Sequence, residues 1–198
     1  MSKTDVRIAG SGVVNGGVYN EIKMSGAGKI LDDVQAEEIK VAGAIKALGS
    51  LSANLIKIAG SCKVEKNIKA NEISIAGSAK IEGNIEGEEI RVSGSIHCKG
   101  DINGEEIKME VQNSELNNVY GENVFIGAKR ERSFLFRKFK ENKIENIEAT
   151  NIEVNYCKAN KISGKNVIIG KNSNINIVEY QDTVEIDKNA KVKEAIKI

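Results

Sequence analysis

Proline is absent from all 198 residues, tryptophan is absent as well, and histidine occurs once. Each absence excludes something. Without proline, no residue lacks a backbone N–H donor, so long hydrogen-bonded ladders can run uninterrupted. With His97 alone, a three-histidine zinc site has no ligand set. An acyl transfer that needs a basic histidine has a single candidate. Cys62, Cys98 and Cys157 are odd in number, widely spaced and contain no CxxC pair, which argues against a disulfide framework or a structural metal. Neither sign of charge dominates, with 29 Lys and Arg against 28 Asp and Glu. Nucleic acid is therefore not an expected partner on charge alone, and nothing calls for a small-molecule substrate. No run approaches the ~18 apolar residues of a membrane-spanning helix. The opening MSKTDVRIAG also lacks the apolar centre of a signal peptide, so a cytoplasmic location is expected.

Glycine is plentiful, at 19 residues, and Ile and Val run through the whole chain, which sets it apart from disordered sequences. Gly10, Gly26, Gly43, Gly60, Gly77 and Gly94 are separated by 16 residues and then four times by 17. Each follows an alternating apolar pair: Val6 and Ile8, Ile22 and Met24, Ile39 and Val41, Ile56 and Ile58, Ile73 and Ile75, Ile90 and Val92. Ile107 and Met109 keep the spacing after the glycine is lost. Four residues beyond each glycine stand Val14, Ile30, Ala47, Val64, Ile81 and Cys98, and eight beyond stand Val18, Val34, Leu51, Ile68, Ile85 and Ile102. Alternation of period two among β-branched residues marks strands with every second side chain turned inward. Tetratricopeptide and ankyrin units are about twice this length, and leucine-rich repeats need a longer unit with their own pattern. About 17 residues suffice for one turn of a three-sided parallel β-helix, in which like residues stack on like at about 4.8 Å.

The outward positions repeat too. Arg7, Lys23, Lys40, Lys57, Ser74, Arg91 and Lys108 form one column; Asp5, Glu21, Glu38, Leu55, Glu72, Glu89 and Glu106 form its neighbour. A stack of like charges repels itself, so the opposite column beside it reads as compensation across a solvated face.

Beyond Met109 the pattern continues through Val124 and Ile126, Ile152 and Val154, Val167 and Ile169, and Val184 and Ile186. One step, from Val124 to Ile152, is 28 residues and contains an insertion of about 11. It is AKRERSFLFRKFK, 128–140, which gathers Phe134, Leu135, Phe136 and Phe139 among Lys129, Arg130, Arg132, Arg137, Lys138 and Lys140. Three readings fit this composition: packing on the solenoid or self-association, contact with an anionic membrane surface, and phosphate contact with base stacking on nucleic acid. The expected organisation is one all-β domain, 1–198, of about 10–11 coils. It has regular coils over 5–127, the basic aromatic segment at 128–140, and less regular coils over 143–198.

Chemistry finds little footing. VIIGKN at 167–172 resembles one acyltransferase hexapeptide but does not recur at six-residue spacing. Glu88-Glu89 and Glu105-Glu106 repeat with the period, which marks architecture more than a unique carboxylate pair. No glycine precedes a GK[ST] ending. The cysteines fall at inward positions and read as small core residues, while His97, between inward Ile96 and Cys98, points outward. No catalytic residue, cofactor or metal is expected.

The stretch ISIAGSAKIEGNIEGEEIRVSGSIHCKGDING, 73–104, resembles the bactofilins, a family of bacterial cytoskeletal proteins. The motifs that carry the resemblance are Gly83-Asn84-Ile85 and Gly100-Asp101-Ile102, with Ile-x-Val/Ile-x-Gly between, and it covers about Val6 to Met109. It implies a right-handed parallel β-helix that polymerises end to end without nucleotide, into membrane-associated filaments serving cell shape or motility. The family's short apolar N-terminal membrane motif has no counterpart in MSKTDV, which makes Arg130, Arg132, Phe134, Leu135, Phe136, Arg137, Lys138 and Phe139 the candidate membrane or partner contact. A β-helix also has two open ends that soluble solenoids cap. No cap is apparent before Val6 and Ile8 or in KVKEAIKI, so Val6, Ile8, Val192, Ile196 and Ile198 are the expected contacts with a second copy of the chain. The rival readings are a monomeric or oligomeric β-helix binding module and a β-helix enzyme acting on saccharide or acyl substrates.

Overall fold

A computed structural model of the chain describes residues 4–128 and 140–198. Twelve strands follow one another: β1 (Thr4–Val14), β2 (Gly17–Ile30), β3 (Val34–Ala47), β4 (Leu51–Val64), β5 (Ile68–Ile81), β6 (Ile85–Cys98), β7 (Ile102–Val111), β8 (Glu115–Gly127), β9 (Asn142–Val154), β10 (Cys157–Ile169), β11 (Asn174–Ile186) and β12 (Lys191–Lys197). All pair in parallel and in sequence order, each with the one before and the one after, so the fold is a parallel β-helix. Among the described residues there is no helix.

The alternation of side chains shows how a strand 14 residues long bends round the coil. In β3 the buried positions come in pairs: Val34 and Ala36, Ile39 and Val41, Ile45 and Ala47. Between pairs, two or three neighbours in a row face outward, Glu37-Glu38 and then Ala42-Gly43-Ala44. A break in period two is a change of direction, so each coil has three sides and three corners, the last at 48–50. Stacked in register, the inward residues build a continuous core; one of its columns runs Val6, Ile22, Ile39, Ile56, Ile73, Ile90, Ile107, Val124, Ile152, Val167, Val184. That column counts eleven coils, as the period predicts. The 28-residue step is bridged as expected, with Val124 opposite Ile152.

Gly43 shows why the second corner needs glycine. Its φ is 132°, a region closed to most side chains, and a Cβ there would strike the carbonyl oxygen of Gly26 in the coil below. The same holds up the stack as far as Gly94, above which Val111 takes the slot. From there the turn is made differently. Positive φ passes to Asn113, Tyr156 and Asn172, at 54°, 54° and 55°. The residues that follow or face them are buried polar groups. Ser114 Oγ accepts from the Ile96 N–H at 3.0 Å, Asn142 Oδ1 accepts from the Ser114 N–H at 3.2 Å, and Asn142 Nδ2 donates to the Val111 carbonyl at 3.0 Å. Ser173 Oγ accepts from the Cys157 N–H at 3.5 Å. Side chains thus supply the partners that the backbone lacks at an irregular corner.

One expectation is overturned. Val18 does not join the inward column of Val34 and Leu51: Gly17 is the residue opposite Val34, and Val18 faces solvent. The first coil is one residue shorter than the regular coils that follow it, and a slip of one residue in a strand moves a side chain to the other face.

The end faces and the outer ladders as candidate functional surfaces

The outward columns on the second side are ion-paired as the sequence suggests. Lys23 meets Glu21 at 3.3 Å, and Lys40 and Arg91 meet Glu38 and Glu89. The two gaps in the ladder complete each other. Leu55 stands where the acid beside Lys57 would be, and Ser74 where the base beside Glu72 would be; Lys57 reaches across to Glu72 at 3.4 Å. The Lys23 contact holds the Glu21 carboxyl below the usual carboxylate range, and the Glu38 contact raises the Lys40 ammonium. These groups lie on the outer surface, in reach of water, so the pairing mainly prevents repulsion within the stacks and adds little stability of its own.

Above Glu106 the acid column turns into an amide ladder. Asn123 donates to Glu106, Asn151 to Asn123 at 2.7 Å, Asn166 to Asn151 at 2.9 Å, and the Thr183 hydroxyl to Asn166 at 2.8 Å. Stacked amides, each both donor and acceptor, avoid the repulsion of stacked carboxylates. The third side carries a second cationic column that the sequence reading missed: Lys29, Lys46, Lys63, Lys80 and His97 in register. Glu65 and Glu82 answer it from the neighbouring corner, with Lys63 at 2.7 Å and Lys80 at 3.2 Å; Lys99 also reaches Glu82, at 2.6 Å. The strict 17-residue spacing of these lysines was the available signal.

On the first side a shallow groove of about 840 Å³ crosses five coils, with Glu37, Glu86, Glu88, Glu105 and Lys69 among its lining residues. Lys69 bonds Glu86 at 2.7 Å, and Asn54 bonds Glu37. The carboxylates are strung along the groove, coil by coil, with no convergence on one point. Among the described residues no three His, Cys, Asp or Glu side chains are placed to hold a metal ion. Cys62, Cys98 and Cys157 are buried and free, and burial pushes each thiol up to about 12, away from the nucleophilic thiolate. His97 is half-buried on the outer surface, in register between Lys80 and Glu115.

The expected self-contact residues divide between the two ends of the stack. Val6 and Ile8 lie on β1, half-buried, and line the mouth of the core at one end. At the other end Val192 is half-buried on β12, Ile196 is 36% exposed, and Ile198 is 62% exposed. Among the described residues the outer edges of β1 and β12 have no strand partner. The sequence reading missed Val18 at the first end, 56% exposed, and Ile186 at the second, 44% exposed. Of the segment 128–140, the described ends are Ala128 and Lys140, at the corner between the second and third sides. The Ala128 N–H donates to Asn155 Oδ1 at 2.9 Å, and the Lys140 carbonyl accepts from the Asn113 N–H at 3.3 Å. Arg130, Arg132, Phe134, Leu135, Phe136, Arg137, Lys138 and Phe139 lie outside the described residues.

Neither a protein-family model, nor a curated protein, nor a solved structure matches the chain.

Proposed function

We propose that this chain is a non-enzymatic structural protein of the bactofilin type, whose solenoids join end to end, without nucleotide, into filaments that act as a cytoplasmic scaffold. The observation that carries the reading is the pair of edge strands, β1 and β12, unpartnered among the described residues, at opposite ends of a twelve-stranded parallel ladder, each beside exposed apolar side chains. An unpaired parallel edge presents a row of free N–H and C=O groups and templates another strand of the same kind. A second copy meets that demand along all three sides at once. The GNI and GDI motifs at 83–85 and 100–102 support the same reading through the family resemblance, which also suggests a role in cell shape or motility at the inner face of the membrane. Outer surfaces made of repeated, mutually neutralised ladders suit a scaffold better than a catalyst, which needs unlike groups brought to one place.

Electron microscopy of the purified full chain, with sedimentation across protein and salt concentration, tests the proposal. Filaments a single solenoid wide, formed without added nucleotide, are expected. A monomer under every condition would overturn it and favour a binding module.

A further inference from the structure

The dipeptide Asn-Gly occurs twice in the chain, as Asn15-Gly16 and Asn103-Gly104, and the fold treats the two differently. Asn15 and Gly16 form the whole link between β1 and β2, and both are exposed. The links at the same corner of the following coils, 31–33, 48–50, 65–67, 82–84 and 99–101, are each one residue longer. The Tyr19 hydroxyl donates to the Asn15 carbonyl oxygen at 3.0 Å, while among the described residues nothing accepts from the Asn15 side-chain amide or from the Gly16 N–H. Glycine at 16 is a requirement of the short link, because a Cβ there would stand 2.8 Å from Asp32 Cβ and 3.0 Å from the Asp33 carbonyl oxygen. The nitrogen that follows Asn15 therefore has no side chain beside it to shield it. Asn103 and Gly104 lie instead inside β7, half-buried, in register with Glu86 and Gly87 on one side and with Tyr120 and Gly121 on the other.

We propose that Asn15 is a modification site, converted in the folded protein to aspartate and isoaspartate through a succinimide. The Gly16 nitrogen attacks Cγ of Asn15: an N–Cγ bond forms, the Cγ–Nδ2 bond breaks, and ammonia leaves with the proton that the Gly16 nitrogen gives up. Water then opens the ring, its hydroxyl going to one of the two carbonyl carbons and its proton to the ring nitrogen. Opening at Cγ gives aspartate; opening at the main-chain carbonyl carbon gives isoaspartate, in which the backbone runs through Cβ and Cγ. Nothing is oxidised or reduced, and water is the only co-reactant. The attack needs rotation about the Asn15 backbone and side chain. An exposed two-residue link permits that rotation, whereas a strand paired on both sides permits it only when the ladder opens locally. Asn103 is thus the protected counterpart of Asn15. The product adds one negative charge to the first coil, and its isoaspartyl form is a methyl acceptor for the class of methyltransferase that esterifies isoaspartyl carboxylates with S-adenosylmethionine. The proposal stands apart from the scaffold reading. Among the described residues the Gly49, Lys66, Gly83 and Gly100 N–H groups, at the same corner of inner coils, also have no backbone partner, so a ladder continued by a second copy leaves the Gly16 N–H free.

Ageing of the native full chain at pH 8 and physiological temperature, followed by proteolysis and mass spectrometry of the peptides that hold Asn15 and Asn103, tests the proposal. The Asn15 peptide is expected to gain the mass of an amide-to-acid exchange several-fold faster than the Asn103 peptide. An isoaspartyl methyltransferase supplied with radiolabelled S-adenosylmethionine should label the aged chain, and N15Q should remove most of that label while keeping the wild-type circular dichroism. In denaturant the two sites should convert at similar rates, which assigns the native difference to the fold. Equal conversion of both sites in native protein would overturn the proposal, as would an Asn15 that stays intact in native protein and converts only after denaturation.

Discussion

Gly43 and its equivalents are the positions at which one atom matters most. Alanine at 43 has to adopt φ near 132° and place its methyl group against the Gly26 carbonyl, so Gly43→Ala should cost at least about 2 kcal/mol and lower the thermal midpoint. Ala44→Ser, one residue away in a column that already holds Ser61, should leave the midpoint unchanged. The buried cysteines make a second residue-scale prediction. In the folded chain the thiols stay protonated to about 12, whereas an unfolded chain ionises them near 9.0. The unfolded state then binds fewer protons, so stability falls as pH rises from about 9 towards 12. Thiol titration with an aromatic disulfide at pH 8 should find no reactive cysteine in native protein and all three in denaturant. The half-buried carboxylates of the outer ladders act in the other direction. Glu21, Glu65, Glu82 and Glu179 are each held low chiefly by a hydrogen bond from a lysine, so their contribution is present above the ordinary value of 4.5 and is lost as pH falls below it.

At the scale of the coil, the second corner is built in two ways, and the two should fail differently. In the lower coils glycine turns the chain by itself; in the upper coils Ser114, Asn142 and Ser173 turn it with buried hydrogen bonds. Asn142→Ala strands the Ser114 N–H and the Val111 carbonyl without a partner, which should cost about 2–5 kcal/mol. Asn151→Ala removes an amide from a solvated outer ladder, and its effect on the melting curve should be much smaller. The dipeptides Asn113-Ser114 and Asn172-Ser173 were the visible trace of this second corner, since each places a residue tolerant of positive φ before a small hydroxyl. Tyr156, at the same bend, carries no such signal; a bulky side chain at positive φ is held by its surroundings, among them Lys171 Nζ at 5.5 Å from its ring.

For the whole molecule, each coil among the described residues makes its large contacts with the neighbouring coils, so the solenoid should behave as a one-dimensional stack. Leu51 lies opposite Ile68, and excising residues 51–67 joins Ser50 to a residue equivalent to the one removed. That variant should fold with the circular dichroism of a shorter solenoid, whereas removing eight residues from the same coil destroys every column above the cut and should give aggregated protein. Ala128 and Lys140, the described residues on either side of 129–139, lie at a corner between the second and third sides, away from both end faces. Changing Phe134 and Phe136 to Ser should therefore leave filament formation intact. Flotation of the same variant with phosphatidylserine liposomes tests the membrane contact separately: loss of flotation relative to wild type is the expected outcome, and unchanged flotation removes the segment from that role.

The sequence by itself determined the strand class, the 17-residue coil, the three sides, the place of the insertion and the register across it, because alternation and spacing are local properties copied from coil to coil. It also showed that outward charges of opposite sign run side by side. Only the tertiary structure decided which residue of a short first coil enters the core, Gly17 in place of Val18, since one residue of slip is invisible until strands are paired. Only there does Lys57 find Glu72 across a coil, and only there does Asn142 meet Ser114, and Ser173 meet Cys157, inside an apolar stack. Those contacts join residues from different coils, and their energy depends on burial and direction, neither of which a linear pattern contains.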